Sequence, residues 1–465
     1  MMTSKSETRV AILGQEISDR SSILGARSAG RSRAVLSRTK LDSRQTDLYI
    51  TELPRNQREE EALERNSSPS DSVINNNDDD EEEIDVNNND TEEKKKKSVE
   101  RSDVKKEIYK RECARCNVVP VGAYLRAPSN GSLVIRHYNL GPNGAKALSA
   151  PLMLDDTVTH VDIVGNAIEV HGLVFLLQAI AENRSVRHLD ISDNNLASTG
   201  AKVLGEFLSH SKNTTLEHLI MSENCFKDED GIHFSEAIQV NKSLKEIVLS
   251  HNLFGDVSGP AFGKALAMNS TLETFDISWN QIRKKSAALF VKRLKDNVGL
   301  TKLNIGFNGL GSEGASELVP LLKTNNSLVE LDLSHNRLKD LDSVPLAKGL
   351  AKNNTLKVLR IGDNLLTSVG ATAILHSLYD PRSVCALETL DFHNTSVDLP
   401  FERYLKEIRA TRDVNVIHGK VMMVGDPPQP TKTYIRVKTR DRNNTVNPTN
   451  KPEVTSGTNT MTARR

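Results

Sequence analysis

Cysteine, aromatic side chains and net charge are what this 465-residue chain has least of. Four Cys cannot build a disulfide framework at this length, so a reducing, intracellular and cytoplasmic setting is expected, with nucleus and cilium left open. Aromatic residues make up 4 %, with a single Trp, and hydrophobic residues 37 % against 26 % charged. A sizeable core then requires the apolar residues to be concentrated in one part of the chain. Lys+Arg 61 and Asp+Glu 61 cancel, so no global field selects nucleic acid. No stretch approaches the roughly 18 apolar residues of a spanning helix. The opening, Met1 to Arg9, lacks the apolar core of a signal peptide. Secretion, membrane insertion and nucleic-acid binding are disfavoured on these grounds.

The cancelled charge hides blocks of opposite sign. Residues 1–45 hold nine Lys/Arg against four Asp/Glu, and residues 46–93 hold seventeen acidic side chains against three basic ones. A Lys94–Lys97 run follows, and the tail from Lys420 is basic again. None of these blocks has an apolar period that could offset the entropy of ordering. Disordered arms are therefore expected over 1–103 and 424–465. Lys94–Lys97 reads as a solvated charge run, with a nuclear-import or polyanion patch as the sharper reading. The more apolar 45–53 stretch is a candidate linear docking motif.

Between the arms a motif L-x-L-x-x-N-x-L recurs. Val161/Ile163/Asn166/Ile168, Leu189/Ile191/Asn194/Leu196 and Leu219/Met221/Asn224/Phe226 are successive instances, and the series runs on to Leu359/Ile361/Asn364/Leu366. Degenerate units carry Tyr138 and Thr395 at the Asn position. Successive positions differ by 28, apart from one step of 30 and one of 31. In L-x-L the two apolar side chains share one face of a short strand. The Asn sits where the chain leaves it, and its amide can donate to and accept from the backbone of neighbouring coils. A second period then appears, as in Gly200-Ala201-x-x-Leu204-x-x-x-Leu208, apolar at helical spacing. Strand and helix alternating in constant register predict an α/β solenoid, a horseshoe with a parallel sheet on its concave face and helices outside. Terminal coils need caps, which are expected over 104–132 and 399–423, with the repeats over 133–398.

This pattern resembles the leucine-rich repeat family, and its 28-residue unit resembles the ribonuclease-inhibitor type. Upstream, Tyr109-Lys-Arg-Glu-Cys113, Val118-Val-Pro-Val121 and His137-Tyr-Asn-Leu-Gly-Pro-Asn-Gly-Ala145 are similar to the lead-in of the leucine-rich repeat-containing protein 74 group. Ser278-Trp279-Asn280 and Leu390-Asp-Phe-His-Asn394 suit that likeness. The resemblance implies a solenoid and no particular activity.

Catalytic signals are thin, and no enzyme, cofactor or metal is expected. Cys113-Ala-Arg-Cys116 has no second pair to complete a zinc site. Cys225 and Cys385 read as packed thiols. Gly141 to Gly144 and Gly309 to Gly314 are helix-entry turns without the Lys or spacing of a phosphate loop. Sequons at Asn183, Asn213, Asn241, Asn269, Asn325 and Asn353 fall at one repeat position and read as helix-end chemistry.

The concave positions are the candidate partner-binding residues. Four before the ladder Asn stand Asp162, Asp190, Asp276, Asp332, Arg360 and Asp391; six before it stand His160, His188, His218, Glu246 and Glu330. Three His on neighbouring strands allow a metal or pH-sensing reading, but side chains in one row run parallel and seldom converge tetrahedrally. The carboxylates call for a protein partner with a basic surface, or for this chain's own tail. Trp279, Phe307 and His335 at the strand exits are candidate rim anchors. The expected function is a non-catalytic interaction scaffold of undetermined oligomeric state. The alternatives are a GTPase-activating protein for a Ran-type GTPase, whose acidic segment normally follows the repeats, and an inhibitor of a basic enzyme.

Overall fold

The computed structural model describes residues 103–126, 131–210 and 215–423, all within one compact unit, Asp85–Arg465. Apart from Asp103, both expected arms lie outside the described residues, as do Lys94–Lys97, the 45–53 stretch and Asn213. Eleven short strands join in one parallel sheet in strict sequence order. They are β1 (Ser132–Val134), β2 (His160–Asp162), β3 (His188–Asp190), β4 (His218–Ile220), β5 (Glu246–Val248) and β6 (Thr274–Asp276). The order continues with β7 (Lys302–Asn304), β8 (Glu330–Asp332), β9 (Val358–Arg360), β10 (Thr389–Phe392) and β11 (Asn415–His418). A helix follows each of the first ten strands and returns the chain to the start of the next, as with Glu169–Glu182 between β2 and β3. The solenoid with a parallel sheet on one face is thus the fold expected from the repeat.

Register pins every coil. His160 pairs with His188 and His188 with His218, so equal repeat positions stand side by side. The two apolar positions of each strand are buried, Val161/Ile163, Leu189/Ile191 and Phe275/Ile277 all being 0 % exposed. Phe226, Phe234, Phe254, Phe262 and Phe275 form a chain of tilted and edge-on rings at centroid distances of 5.0, 6.0, 5.2 and 5.6 Å through this core. Burying one such side chain contributes about 1.5–3 kcal/mol, and the repeat multiplies that term coil by coil. Helix entry is tight: a Cβ on Gly314 would meet the Leu310 Cβ at 2.8 Å.

Two Asn ladders stitch the coils together. In the first, Asn194 Nδ2 donates to Ile163 O at 3.0 Å, while its Oδ1 accepts from Asn166 N at 3.1 Å and Ile168 N at 3.3 Å. Asn252 repeats this with Met221 O, Asn224 N and Phe226 N. The second ladder lies at the helix ends. Asn269 Nδ2 reaches Ile238 O at 2.7 Å and Asn241 O at 3.1 Å, and its Oδ1 accepts from Thr271 N and Leu272 N. Asn183, Asn325 and Asn353 do the same, so these sequons serve as helix-end chemistry, and Asn183 is 2 % exposed. Asn297, which begins no sequon, fills the same role.

At the N-terminal end a helix over 103–116 carries Tyr109 against Tyr124, with rings 4.3 Å apart, and Tyr109 Oη accepts from Val121 N. Lys105 reaches Asp155 at 2.7 Å; burial opposes ionisation there, but Lys105 and Thr157 hold the carboxyl below its ordinary range. At the far end helix Leu399–Arg409 is capped by the Asp398 carboxylate accepting from Phe401 N, and β11 pairs with β10.

Candidate protein-binding surface

Each coil places four side-chain rows on the sheet face, at six, four, two and one residues before the ladder Asn. The row at six is set by extended backbone and strand pairing. Its three imidazoles stack, with centroids 4.1 Å apart for His160–His188 and 5.5 Å for His188–His218. Burial, then the neighbouring His160 and His218, hold His188 below its ordinary value. His218 Nδ1 lies 2.9 Å from Glu246 Oε2. Rings stacked this way aim their nitrogens side by side instead of at one point, and no cluster of three metal-ligating groups occurs among the described residues.

The row at four corrects the expectation of a bare acidic stripe. Asp162 is 1 % exposed and its carboxylate is taken by Arg136, whose Nε donates to Oδ2 at 2.6 Å, so it presents no charge to a partner. Asp190 is 9 % exposed. The row also shapes the backbone, because Oδ1 of Asp190, Asp276, Asp332 and Asp391 accepts the N–H two residues on, at 3.0, 2.8, 2.8 and 2.7 Å. Asn304 does this with an amide, accepting from Gly306 N at 3.0 Å. These are turn-forming contacts that end each strand. Glu330 sits between Lys302 at 3.1 Å and Arg360 at 3.6 Å, so those charges answer one another.

From β3 to β9 the row at two is small: Ser192, Ser222, Ser250, Ser278, Gly306, Ser334 and Gly362. Beside it, at one, stands a row in left-handed backbone, with φ of 56° at Glu223, 55° at His251 and Trp279, 54° at Phe307, 56° at His335 and 51° at Asp363. Their N–H groups continue the sheet's pairing, Trp279 N donating to Gly306 O and Phe307 N to Ser334 O. Equal backbone one coil apart brings equal positions into contact. His251, Trp279, Phe307 and His335 therefore stack face to face, at 4.8, 3.6 and 3.7 Å with interplanar angles of 15°, 12° and 19°. His335 Nε2 ends the stack 3.2 Å from Asp363, which Asn394 Nδ2 also contacts. Trp279 remains 46 % exposed.

The three candidate rim residues thus belong to one stack, to which sequence reasoning had not assigned His251. Its place one residue before Asn252 was the available signal. Cys225 is exposed, a correction to its reading as a packed thiol: it follows ladder Asn224 in a left-handed turn that leaves the core. Cys385 is buried.

A single open parallel sheet backed by helices, with Asn ladders at both ends of the coil, defines a repeat solenoid whose available face is a surface and not a pocket. The chain matches the family described as Leucine Rich repeat over 182–205, 212–235, 269–290, 297–319, 324–346 and 352–375. These six units support a leucine-rich repeat protein. Stretch 236–268 falls between matches, yet β5 within it pairs in register with both neighbours. Among solved structures the chain is similar to Leiomodin-1 Actin-Binding Site 2, with 21% identity over 34% of this chain and 82% of that one and a TM-score of 0.25. No helix among the described residues is long and apolar enough to cross a membrane.

Proposed function

We propose that this chain is a non-catalytic scaffold that binds a protein partner through the sheet face of its solenoid, the concave side of such a stack. In this reading the repeats, of ribonuclease-inhibitor type and akin to the leucine-rich repeat-containing protein 74 group, occupy 133–398 between structural caps. The stacked row His251–Trp279–Phe307–His335 carries the reading. A left-handed backbone costs a bulky residue about 1–2 kcal/mol and suits Gly, Asn or Asp, which other coils have at Gly165, Asp193 and Asn394. A stacked pair returns only about 0.5–1.5 kcal/mol. Stability therefore gives little reason for rings at these positions, whereas exposed aromatic anchors are what a protein interface uses.

The test is affinity capture from cell extract with the full-length chain and with a Trp279→Asn/Phe307→Asn variant, read by quantitative mass spectrometry. A partner enriched by the first and depleted at least about tenfold by the second supports the reading. Equal capture by both moves the interaction off the sheet face.

A further inference from the structure

On β5–β8 the aromatic row stands beside the small row Ser250, Ser278, Gly306 and Ser334, with Asp276 and Asp332 on the other side. Two tall rows thus flank a low one that runs across the strands. The nearby cations are engaged elsewhere: Lys245, just before β5, with Glu217 at 2.7 Å, Lys302 with Glu330 at 3.1 Å, and Arg360, in register beside Asp332, with Glu330 at 3.6 Å. Asp276 accepts from neutral groups, Ser278 N and Asn304 Nδ2, and Asp332 from Ser334 N. Each carboxylate offers about four lone-pair sites, so these bonds leave acceptor capacity on both.

Resting on the scaffold reading above, we infer that this strip docks an extended basic segment of a separate protein, with a cation at every third residue. The spacing is the reason. Asp276 and Asp332 stand two coils apart in one row, which at ~4.8 Å per parallel strand is about 9.6 Å. Three residues of polyproline II backbone advance about 9.3 Å. A segment lying over the Ser/Gly row therefore brings successive cations onto Asp276 and Asp332. Their alkyl stems cross the small side chains, and the intervening apolar residues meet the ring edges of Trp279 and Phe307. Arg suits this better than Lys, because its planar fork both pairs with carboxylate and packs on aromatic rings. Register in the partner is set by the protein's own coil spacing, so charge placement matters more than total charge.

Trp279 is the only Trp in the chain, so its emission reports on the strip. The experiment titrates full-length protein with a peptide of four Arg-Pro-Pro units. Two controls follow: the same composition with the four Arg contiguous, and four Glu-Pro-Pro units. The expected result is a saturable Trp279 response to the spaced peptide, severalfold weaker for the contiguous one and absent for the acidic one. Asp276→Asn/Asp332→Asn should weaken the response about tenfold with an unchanged melting midpoint, since Asn304 already makes the same turn contact with an amide. No response, an equal response to the contiguous or acidic peptide, or full binding by the double variant overturns the inference. So does occupation by this chain's own basic tail, seen as a salt-dependent Trp279 emission before peptide is added and a blocked titration. A cellular partner lost with Trp279→Asn/Phe307→Asn alongside no peptide response defeats only this inference; peptide binding without any such partner defeats the scaffold reading instead.

Discussion

Two stacks of rings cross the same sheet, and they differ in what holds them. His160, His188 and His218 stand in extended backbone at the strand entries, where any residue is conformationally at ease. His251, Trp279, Phe307 and His335 stand in left-handed backbone at the strand exits, where rings are strained. Both stacks exist because register repeats one backbone at each coil. The histidine stack follows from register alone and brings titratable groups together. The aromatic stack needs a further reason, and the proposed partner surface would supply one.

The largest effect tests what both stacks share. Asn252→Ala removes the donor to Met221 O and the acceptor for Asn224 N and Phe226 N, all in the buried turn. Losing these should cost about 3 kcal/mol and shift chemical denaturation accordingly, with both stacks losing register. A loss under about 1 kcal/mol would mean that the strands hold register without the ladder.

Next, Asp276→Ala should cost about 1 kcal/mol by orphaning Ser278 N, whereas Asp276→Asn should be nearly neutral. If both variants melt alike, the turn contact is not what this row contributes to folding.

Acid should separate the stacks. His188 in the folded chain sits below its ordinary value, mainly through burial and then through His160 and His218, with Asp190 and Glu246 acting in the opposite direction. The unfolded chain therefore binds this proton first as pH falls. The stability in question is complete above about 6.5 and is lost as pH drops from there through the folded value. Thermal melts should show a lower midpoint at pH 5 than at pH 7.5, and His188→Asn should reduce that difference. An unchanged pH dependence in the variant would place the acid sensitivity in other groups.

The smallest effect is the most telling for the aromatic stack. Trp279→Asn trades ring contacts for a residue suited to positive φ, so stability should stay within about 0.5 kcal/mol of the parent. A loss of about 2 kcal/mol or more would make the stack a structural element.

How much of this was legible in the sequence follows the same division. L-x-L-x-x-N fixed which residues share a row, so the strands, the first Asn ladder and the placement of the histidines could be read from spacing alone. The pairing of Asp162 with Arg136 could not, because Arg136 belongs to a degenerate unit whose ladder residue is Tyr138 and it meets Asp162 only once the coils are stacked. The second ladder had left a trace in the recurrent sequons, but Asn297, which begins none, shows that hydrogen bonding to the preceding coil was the underlying rule. The aromatic stack was half visible: three of its rings were noted as separate anchors. The left-handed backbone that lays them face to face is a property of the turn, which side-chain periodicity does not encode.

The central claim is that the aromatic row serves binding and not stability. The measurement that addresses it most directly is a paired one, melting midpoint and partner affinity, on full-length Trp279→Asn/Phe307→Asn beside the parent. The account predicts midpoints that agree within a few degrees and an affinity at least about tenfold weaker. A midpoint lowered by many degrees with affinity retained would contradict it.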